Sequence, residues 1–122
     1  MLVVGNWKMN GLRREGTDLV RKLNALYLKN LVTCQILICP PAHLLTEIRV
    51  ELDNSNIMIG GQDCHYESSG AFTGNISPNM LVDVGCKYVI LGHSERRSIN
   101  HENDIIVSIN RDSGDIEIFR KL

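Results

Sequence analysis

The 122-residue sequence has few aromatic residues, few prolines and almost no net charge. Aromatic residues make up 5% of the chain, and the formal net charge at pH 7 is -1. This balance excludes a broad surface for nucleic acid or anionic lipid, because phosphate binding requires clustered Lys and Arg. The basic pair Arg13 and Arg14 is too small for that purpose. We therefore expect neither nucleic acid nor a membrane as a partner.

Long apolar runs are also missing from the sequence. No stretch approaches the roughly 20 apolar residues that span a bilayer. Residues 1–4 are too few for the apolar core of a signal peptide. Both observations predict a cytoplasmic location.

The sequence also lacks pairs of closely spaced cysteines. The four cysteines are Cys34, Cys39, Cys64 and Cys86, and they contain no Cys-x-x-Cys motif. Cys64 and His65 are adjacent, but a structural zinc site needs a second ligand pair. We expect buried, reduced thiols and no bound metal.

Four short apolar runs predict buried strands. They lie at residues 3–4, 36–39, 57–59 and 88–91. Apolar residues at successive positions suit strands that are covered on both faces, as in parallel sheets. Helix-like segments separate the runs, and this alternation predicts right-handed crossover units of an α/β protein. An open doubly wound sheet and part of a barrel both fit the pattern.

Three segments between the runs carry helix signals. In residues 15–29 the predicted core-facing positions are Leu19, Leu23, Leu26 and Tyr27. Pro41 predicts the start of a second helix. The apolar side of that helix is Leu44, Leu45, Ile48 and Leu52. Ser77 as N-cap and Pro78 at the first helical position predict a third helix, which Gly85 ends.

Polar residues follow the first and fourth apolar runs directly. Asn6 and Lys8 are two positions apart, which predicts that they share a face at the ligand-binding end of a parallel sheet. A Lys at a strand end is otherwise usually solvated. His93 begins the cluster His93-Ser94-Glu95-Arg96-Arg97. Histidine is the usual general acid or electrophile near neutral pH, although a structural role for His93 stays open.

Three motifs together resemble the triosephosphate isomerase family. They are Gly5-Asn6-Trp7-Lys8-Met9-Asn10, then Gly70-Ala71-Phe72-Thr73-Gly74 with Ile76-Ser77, then Gly92-His93-Ser94-Glu95-Arg96-Arg97. The resemblance extends over roughly residues 2–108. It implies an eight-stranded β/α (TIM) barrel that interconverts dihydroxyacetone phosphate and glyceraldehyde 3-phosphate without a cofactor, in glycolysis and gluconeogenesis.

The resemblance also implies a role for each matched residue. Asn6 and Lys8 would bind the substrate, and Lys8 would stabilise the developing negative charge. Neutral His93 would polarise the carbonyl and shuttle protons between the two oxygens. Glu95 would pair with Lys8. Ser94 would hold the His93 loop, although its hydroxyl would also serve as a helix cap.

A homodimer is part of what the resemblance implies. Residues 70–77 are similar to the family's loop that reaches the neighbouring subunit, with Thr73 at the contact. Arg96 would lie at the same interface, where the family commonly pairs it with a Glu at the position of Asn75. That departure predicts a weaker interface.

Several parts of the family's pattern have no match in these 122 residues. A complete barrel of this type has about 250 residues. The family's catalytic Glu, in a Tyr-Glu-Pro-Val-Trp-like motif, is missing, as are its Gly-rich phosphate loops. We expect an incomplete (β/α)8 barrel of about four βα units forming a single domain over residues 1–122. Its divergent tail, residues 109–122, is what a frameshift would produce, and residues 116–119 could mimic a fifth strand.

Three functions therefore remain open from the sequence. The chain is a member of an isomerase family, a non-catalytic remnant of one, or a fragment that pairs with a separate C-terminal half. An open-sheet nucleotide-binding module is remote, because no Gly-x-Gly-x-x-Gly follows the first strand.

Overall fold

The computed structural model describes residues 1–29, 33–111 and 117–119. Strands and helices alternate along these residues. The strands are β1 (Leu2–Asn6), β2 (Gln35–Cys39), β3 (Met58–Gly61), β4 (Tyr88–Ile90) and β5 (Glu117–Phe119). The helices are α1 (Arg13–Lys29), α2 (Leu45–Glu51), α3 (Pro78–Asp83), α4 (Ser94–Ile99) and α5 (Asp104–Arg111). A short 3-10 turn, Ala42–Leu44, precedes α2.

The five strands form one parallel sheet in the order β1-β2-β3-β4-β5. Each strand pairs with its successor in the sequence, from Leu2 opposite Gln35 to Asn6 opposite Cys39 in the first pair. A doubly wound sheet reverses its strand order at a switch point, whereas a β/α barrel keeps it sequential. The sheet is curled, and it confirms the predicted partial TIM barrel of about four βα units.

Apolar side chains cover both faces of the sheet. On the helix side, Ile38, Ile59 and Val89 join the buried residues of the helices. On the concave side, Leu37, Cys39 and Ile90 form a second, smaller cluster. Alternate residues of a strand point to opposite faces, so the near-continuous apolar runs follow from burial on both sides.

The buried side of α1 differs from the predicted one. Leu19 and Leu26 are more than half exposed, whereas Gly16 and Val20 are buried. Leu23 and Tyr27 pack against the core as expected. A Cβ on Gly16 would lie only 3.1 Å from a methyl group of Leu44, so the helix approaches its neighbours most closely at this glycine. The apolar arc of α1 is wider than its contact face, and the close approach at Gly16 selects which part is buried.

The other two helices agree with the sequence prediction. The predicted apolar side of the second helix is buried, at Leu44, Leu45, Ile48 and Leu52. The Ser77 hydroxyl caps α3 by accepting the backbone N–H of Met80 at 3.3 Å. Gly85 follows that helix with a positive φ of 86°, the conformation typical of a helix stop.

The four cysteines are free thiols, and three of them are buried. Cys34 is only half-buried, contrary to the expectation for all four. Burial raises the pKa of Cys39 and of Cys86 to about 12, so both thiols stay protonated at neutral pH. Within the described ranges, no helix has the length and apolar character needed to cross a membrane.

The tail is described in part. Helix α5 continues to Arg111, and residues 117–119 form a parallel strand beside β4. Within the tail, residues 112–116 and 120–122 lie outside the described residues. The predicted fifth strand is therefore present over Glu117–Phe119.

Candidate active site

A cavity of about 500 Å³ lies at the carboxyl ends of the strands. It is lined by residues that follow β1, β2, β3 and β4 and by the loop before α3. Asn6, Lys8, His93 and Glu95 all face it. The segments after β1 and β4, which are 80 or more positions apart in the sequence, therefore meet at one site. Ligands of parallel β/α folds bind at this end of the sheet.

Lys8 reaches the cavity by an unusual backbone conformation. Strand β1 ends at Asn6, so the alternation of a strand does not place Lys8 as the spacing suggested. Instead Lys8 has a positive φ of 54°, and the side-chain oxygen of Asn6 accepts its backbone N–H at 2.9 Å. Such a conformation is uncommon for a residue with a side chain and is often found at functional sites. A turn at the strand end thus brings Asn6 and Lys8 to the same cavity.

Lys8 forms an ion pair with Glu95 across the site. The ammonium group lies on the segment after β1, and the carboxylate lies in the first turn of α4. The side chains of both residues are about half exposed, at 52% and 46%. The pair leaves the lysine charge at the edge of the cavity, where a bound anion can approach it.

His93 is the N-cap of α4, and 8% of its surface is exposed. Its Nδ1 accepts the backbone N–H of Glu95 at 3.2 Å. An Nδ1 that accepts this bond leaves Nε2 as the donating nitrogen of the ring. Glu95 Oε2 lies 3.5 Å from the same Nδ1. Ser94, which we expected as a possible cap, is instead the first residue of α4 and is exposed. The imidazole accepts that helical N–H, so Ser94 is not needed for capping.

Arg96 is bound by two carboxylates of its own chain. It lies 2.9 Å from Asp63 Oδ2 and 2.6 Å from Glu102 Oε1. Glu102 precedes α5 and turns inward, with 9% of its side chain exposed. Its other oxygen, Oε2, is buried without a hydrogen-bond partner among the described residues.

The Asp63 carboxyl of this cluster has a raised pKa. Burial raises the pKa of the Asp63 carboxyl to about 6, against the opposing attraction of Arg96. Glu102 contributes further to the rise, and His65 opposes it weakly. Two carboxylates on one guanidinium leave the cluster with an excess negative charge, which favours the protonated form of Asp63.

Gln62 is a second residue of the site that sequence reasoning missed. Its side-chain Nε2 donates to the backbone oxygens of Lys8, at 2.9 Å, and of Cys39, at 2.8 Å. Gln62 and Asp63 directly follow the glycines that end β3. The rule that identified Asn6 and His93, polar residues after a buried strand, also applies here and would have found both.

Thr73 lies in an exposed loop that runs from β3 to α3. A hydrogen bond from His65 N–H to Ile76 O closes the base of this loop at 2.8 Å. The His65 ring lies against the rings of Tyr66 and Phe72, with centroids 4.3 and 4.1 Å away. Thr73 does not line the cavity of its own chain. Among the described residues, no group of three or more His, Cys, Asp or Glu is arranged to hold a metal ion.

A sequential parallel sheet with Lys, Asn and a buried His at the carboxyl ends of its strands is typical of part of a β/α barrel, a fold whose ligands bind at that end. The family model of triosephosphate isomerase matches residues 1–112. The chain belongs to the triosephosphate isomerase family.

Individual relatives agree with this assignment. The chain is 50% identical over 96 residues to triosephosphate isomerase of Granulibacter bethesdensis, a match of 79% of the chain and 39% of the relative. It is 46% identical over 107 residues to that of Herpetosiphon aurantiacus, covering 88% and 42%. The enzyme of the Wolbachia of Brugia malayi is 53% identical over 95 residues, covering 78% and 39%. The chain thus spans about two fifths of the length of these curated relatives.

Proposed function

We propose that this chain forms the carbonyl-polarising half of a triosephosphate isomerase site. The reaction is the interconversion of dihydroxyacetone phosphate and glyceraldehyde 3-phosphate, an aldose-ketose isomerisation in glycolysis and gluconeogenesis. One observation carries the proposal: Asn6, Lys8 and His93 line a single cavity, and His93 Nδ1 accepts the Glu95 N–H, which leaves Nε2 for the substrate. A triose phosphate brings to this cavity a carbonyl for the imidazole and a negative charge for the ammonium group.

His93 and Lys8 then have distinct chemical tasks. When a base removes the proton from the carbon next to the carbonyl, the carbonyl oxygen gains negative charge. The Nε2–H of His93 donates to that oxygen and can move a proton between the two oxygens of the enediolate. Lys8 stabilises the same charge by its ammonium group, and the Asn6 side chain orients the substrate and holds the Lys8 backbone. No cofactor takes part in these steps.

The base must come from residues other than the two nearby glutamates. Glu95 is bound to Lys8, and Glu102 is bound to Arg96 and nearly buried. A general base needs hydrogen-bond reach to the proton that it removes, and both carboxylates are engaged elsewhere. We propose that a Glu and the phosphate-binding loops are supplied by polypeptide beyond these 122 residues, in the same molecule or in a separate C-terminal half.

We further propose a homodimer and a cytoplasmic location, as the family resemblance implies. The exposed loop around Thr73 supports the first, because its base is closed and its aromatic residues are stacked before any partner binds. Arg96 would contribute to the contact while keeping its two carboxylates.

The test is a reconstitution. The chain is mixed with a polypeptide that comprises the part of the Granulibacter bethesdensis relative beyond its matched 39%, and isomerase turnover is measured. We expect turnover only in the mixture, since a positioned base contributes roughly 10²- to 10⁴-fold. His93→Ala should lower it by about 100-fold or more. His43→Ala, which removes an exposed imidazole outside the cavity, should leave it unchanged.

Each other outcome has a definite meaning. Turnover by the chain alone that His93→Ala abolishes would show that these 122 residues already contain a base. A mixture that assembles without turnover would favour the non-catalytic remnant. Equal losses for His93→Ala and His43→Ala would refute the catalytic role of His93.

A further inference from the structure

Two consecutive side chains after β3 contact the two other parts of the site. Gln62 and Asp63 both line the cavity. Gln62 points toward the segment after β1, where Lys8 lies. Asp63 points toward α4, whose N-cap is His93. The end of β3 therefore lies between the proposed substrate-binding lysine and the proposed electrophile.

Gln62 fixes the backbone of Lys8. Its amide nitrogen donates to Lys8 O and to Cys39 O, so one side chain joins the ends of β1 and β2. Asn6 holds the Lys8 N–H from the other side. Both peptide groups that flank the left-handed Lys8 are thereby restrained, which keeps this residue in a conformation that is otherwise unfavourable.

Asp63 fixes helix α4. Its carboxylate binds the guanidinium of Arg96, which lies in that helix three positions after His93. Arg96 also binds Glu102 beyond the end of the helix. The guanidinium thus connects the end of β3 to α4 and to the segment before α5.

The Lys8–Glu95 ion pair closes these contacts into a ring. Starting from Lys8, the ring passes through Glu95 and Arg96 on α4, then through Asp63 and Gln62 after β3, and returns to Lys8. We propose that Gln62 and Asp63 are positioning residues that set the separation of Lys8 and His93 for catalysis, an inference that rests on the proposed function.

Burial disfavours the negative charge of Asp63, and a charge retained at such a position supports a functional rather than a purely stabilising role. The groups that face this carboxylate are Arg96, Glu102 and His65. Arg96 would retain Glu102 as a partner even if Asp63 were neutral. The ring, in contrast, needs the ionised Asp63 to connect β3 with α4.

Two isosteric substitutions test the ring, each with a matched control. Gln62→Glu replaces the donating nitrogen with an oxygen that faces two carbonyl oxygens, and Gln35→Glu makes the same change at an exposed position at the start of β2. Asp63→Asn removes the charge, and Asp53→Asn does so on the exposed turn after α2. Turnover is measured in the reconstituted mixture, normalised to the amount of assembled complex.

We expect Gln62→Glu and Asp63→Asn to lower kcat by about 10- to 100-fold, because a misplacement near 1 Å has effects of this size. Both controls should stay within about twofold of the unsubstituted chain. The unsubstituted mixture should lose kcat as the pH falls below about 6, where Asp63 protonates, and Asp63→Asn should remove the part of this loss that Asp63 causes. Unchanged kcat in both variants, or an acid limb that Asp63→Asn leaves unaltered, would overturn the proposal.

A second readout separates this inference from the proposed function. Backbone amide resonances of the ¹⁵N-labelled chain are compared between variants, with and without the second polypeptide. The ring predicts that Gln62→Glu shifts the amides of Glu95 and Arg96, although Gln62 bonds only to Lys8 and Cys39 among the described residues. Shifts confined to Lys8 and Cys39 would refute the ring. If the unsubstituted mixture has no turnover, the proposed function fails, and these resonances alone decide the positioning role.

Discussion

Asp63 carries its carboxylate where the surroundings disfavour the charge. Its pKa is raised from 3.8 to about 6, so the folded chain binds this proton more tightly than the unfolded chain does. The stabilising contribution is complete below about pH 4 and is lost as the pH rises to about 6. The loss spans at most about 3 kcal/mol, from two pKa units at about 1.4 kcal/mol each.

Asp63→Asn should therefore flatten the pH dependence of the free energy of unfolding between about pH 4 and 6, without lowering stability at pH 7.5. Arg96 keeps Glu102 as a partner in this variant. Urea unfolding at several pH values measures both effects, with Asp53→Asn as control. A slope that Asp63→Asn leaves intact would assign the pH dependence to another group.

Gly92 separates β4 from the His93 cap and has a φ of 59°. A Cβ here would lie 2.7 Å from Val107 Cγ2, so Gly92→Ala combines backbone strain with a clash. We expect a loss of about 2 to 4 kcal/mol in the free energy of unfolding. Gly74→Ala shares the positive φ but meets no described atom within 4 Å, and should cost about 1 kcal/mol. Equal losses in urea unfolding would show that the contact with Val107 is unimportant.

The site residues differed in how readily the sequence indicated them. Asn6, Lys8 and His93 stood out because charged or polar groups follow apolar strands. Gln62 and Asp63 follow a strand too, but two glycines make the end of β3 look like a turn. The partners of Arg96 come from separate segments, and a single sequence gives no spacing rule for such contacts. The left-handed φ of Lys8 is likewise set by its hydrogen-bonding neighbours rather than by residue type.

Helix α3 begins with a side-chain cap. It has six residues, too few to be stable from helix propensity alone. Ser77→Ala removes the oxygen that accepts the Met80 N–H and should cost about 1 kcal/mol. Ser69→Ala, in the exposed loop, is the control. Thermal unfolding compares the two, and equal melting temperatures would mean that the cap is replaceable.

Local sequence signals predicted where a helix begins and ends more reliably than they predicted which side of the helix is buried. Pro78 and Gly85 mark the limits of α3, because proline and glycine restrict or release the backbone directly. The buried side of α1 depended on a tertiary contact at Gly16 that periodicity does not contain. Leu19 and Leu26 are accordingly exposed in this structure.

In the part of the molecule that the structure describes, the sheet has two edge strands, β1 and β5. Within the described residues, β1 pairs only with β2, and β5 only with β4. Unpaired strand edges favour association, so we expect the chain alone to scatter light in a concentration-dependent way. Val3→Lys places a charge on β1 and should reduce the scattering. Val50→Lys, at an exposed position on α2, should not, and equal effects would point to general solubility instead.

The sequential strand order has a consequence for how the protein is made. Each of the strands β1 to β4 pairs with the strand that follows it in the sequence, so these pairings do not require distant segments of the chain. Short loops close quickly, and domains begin to form during synthesis from the N-terminus. The contacts that hold Lys8 begin with Asn6 and are completed by Gln62, well before α4 has left the ribosome. The turn that bears Lys8 can therefore form while the helix that His93 caps is still inside the ribosome.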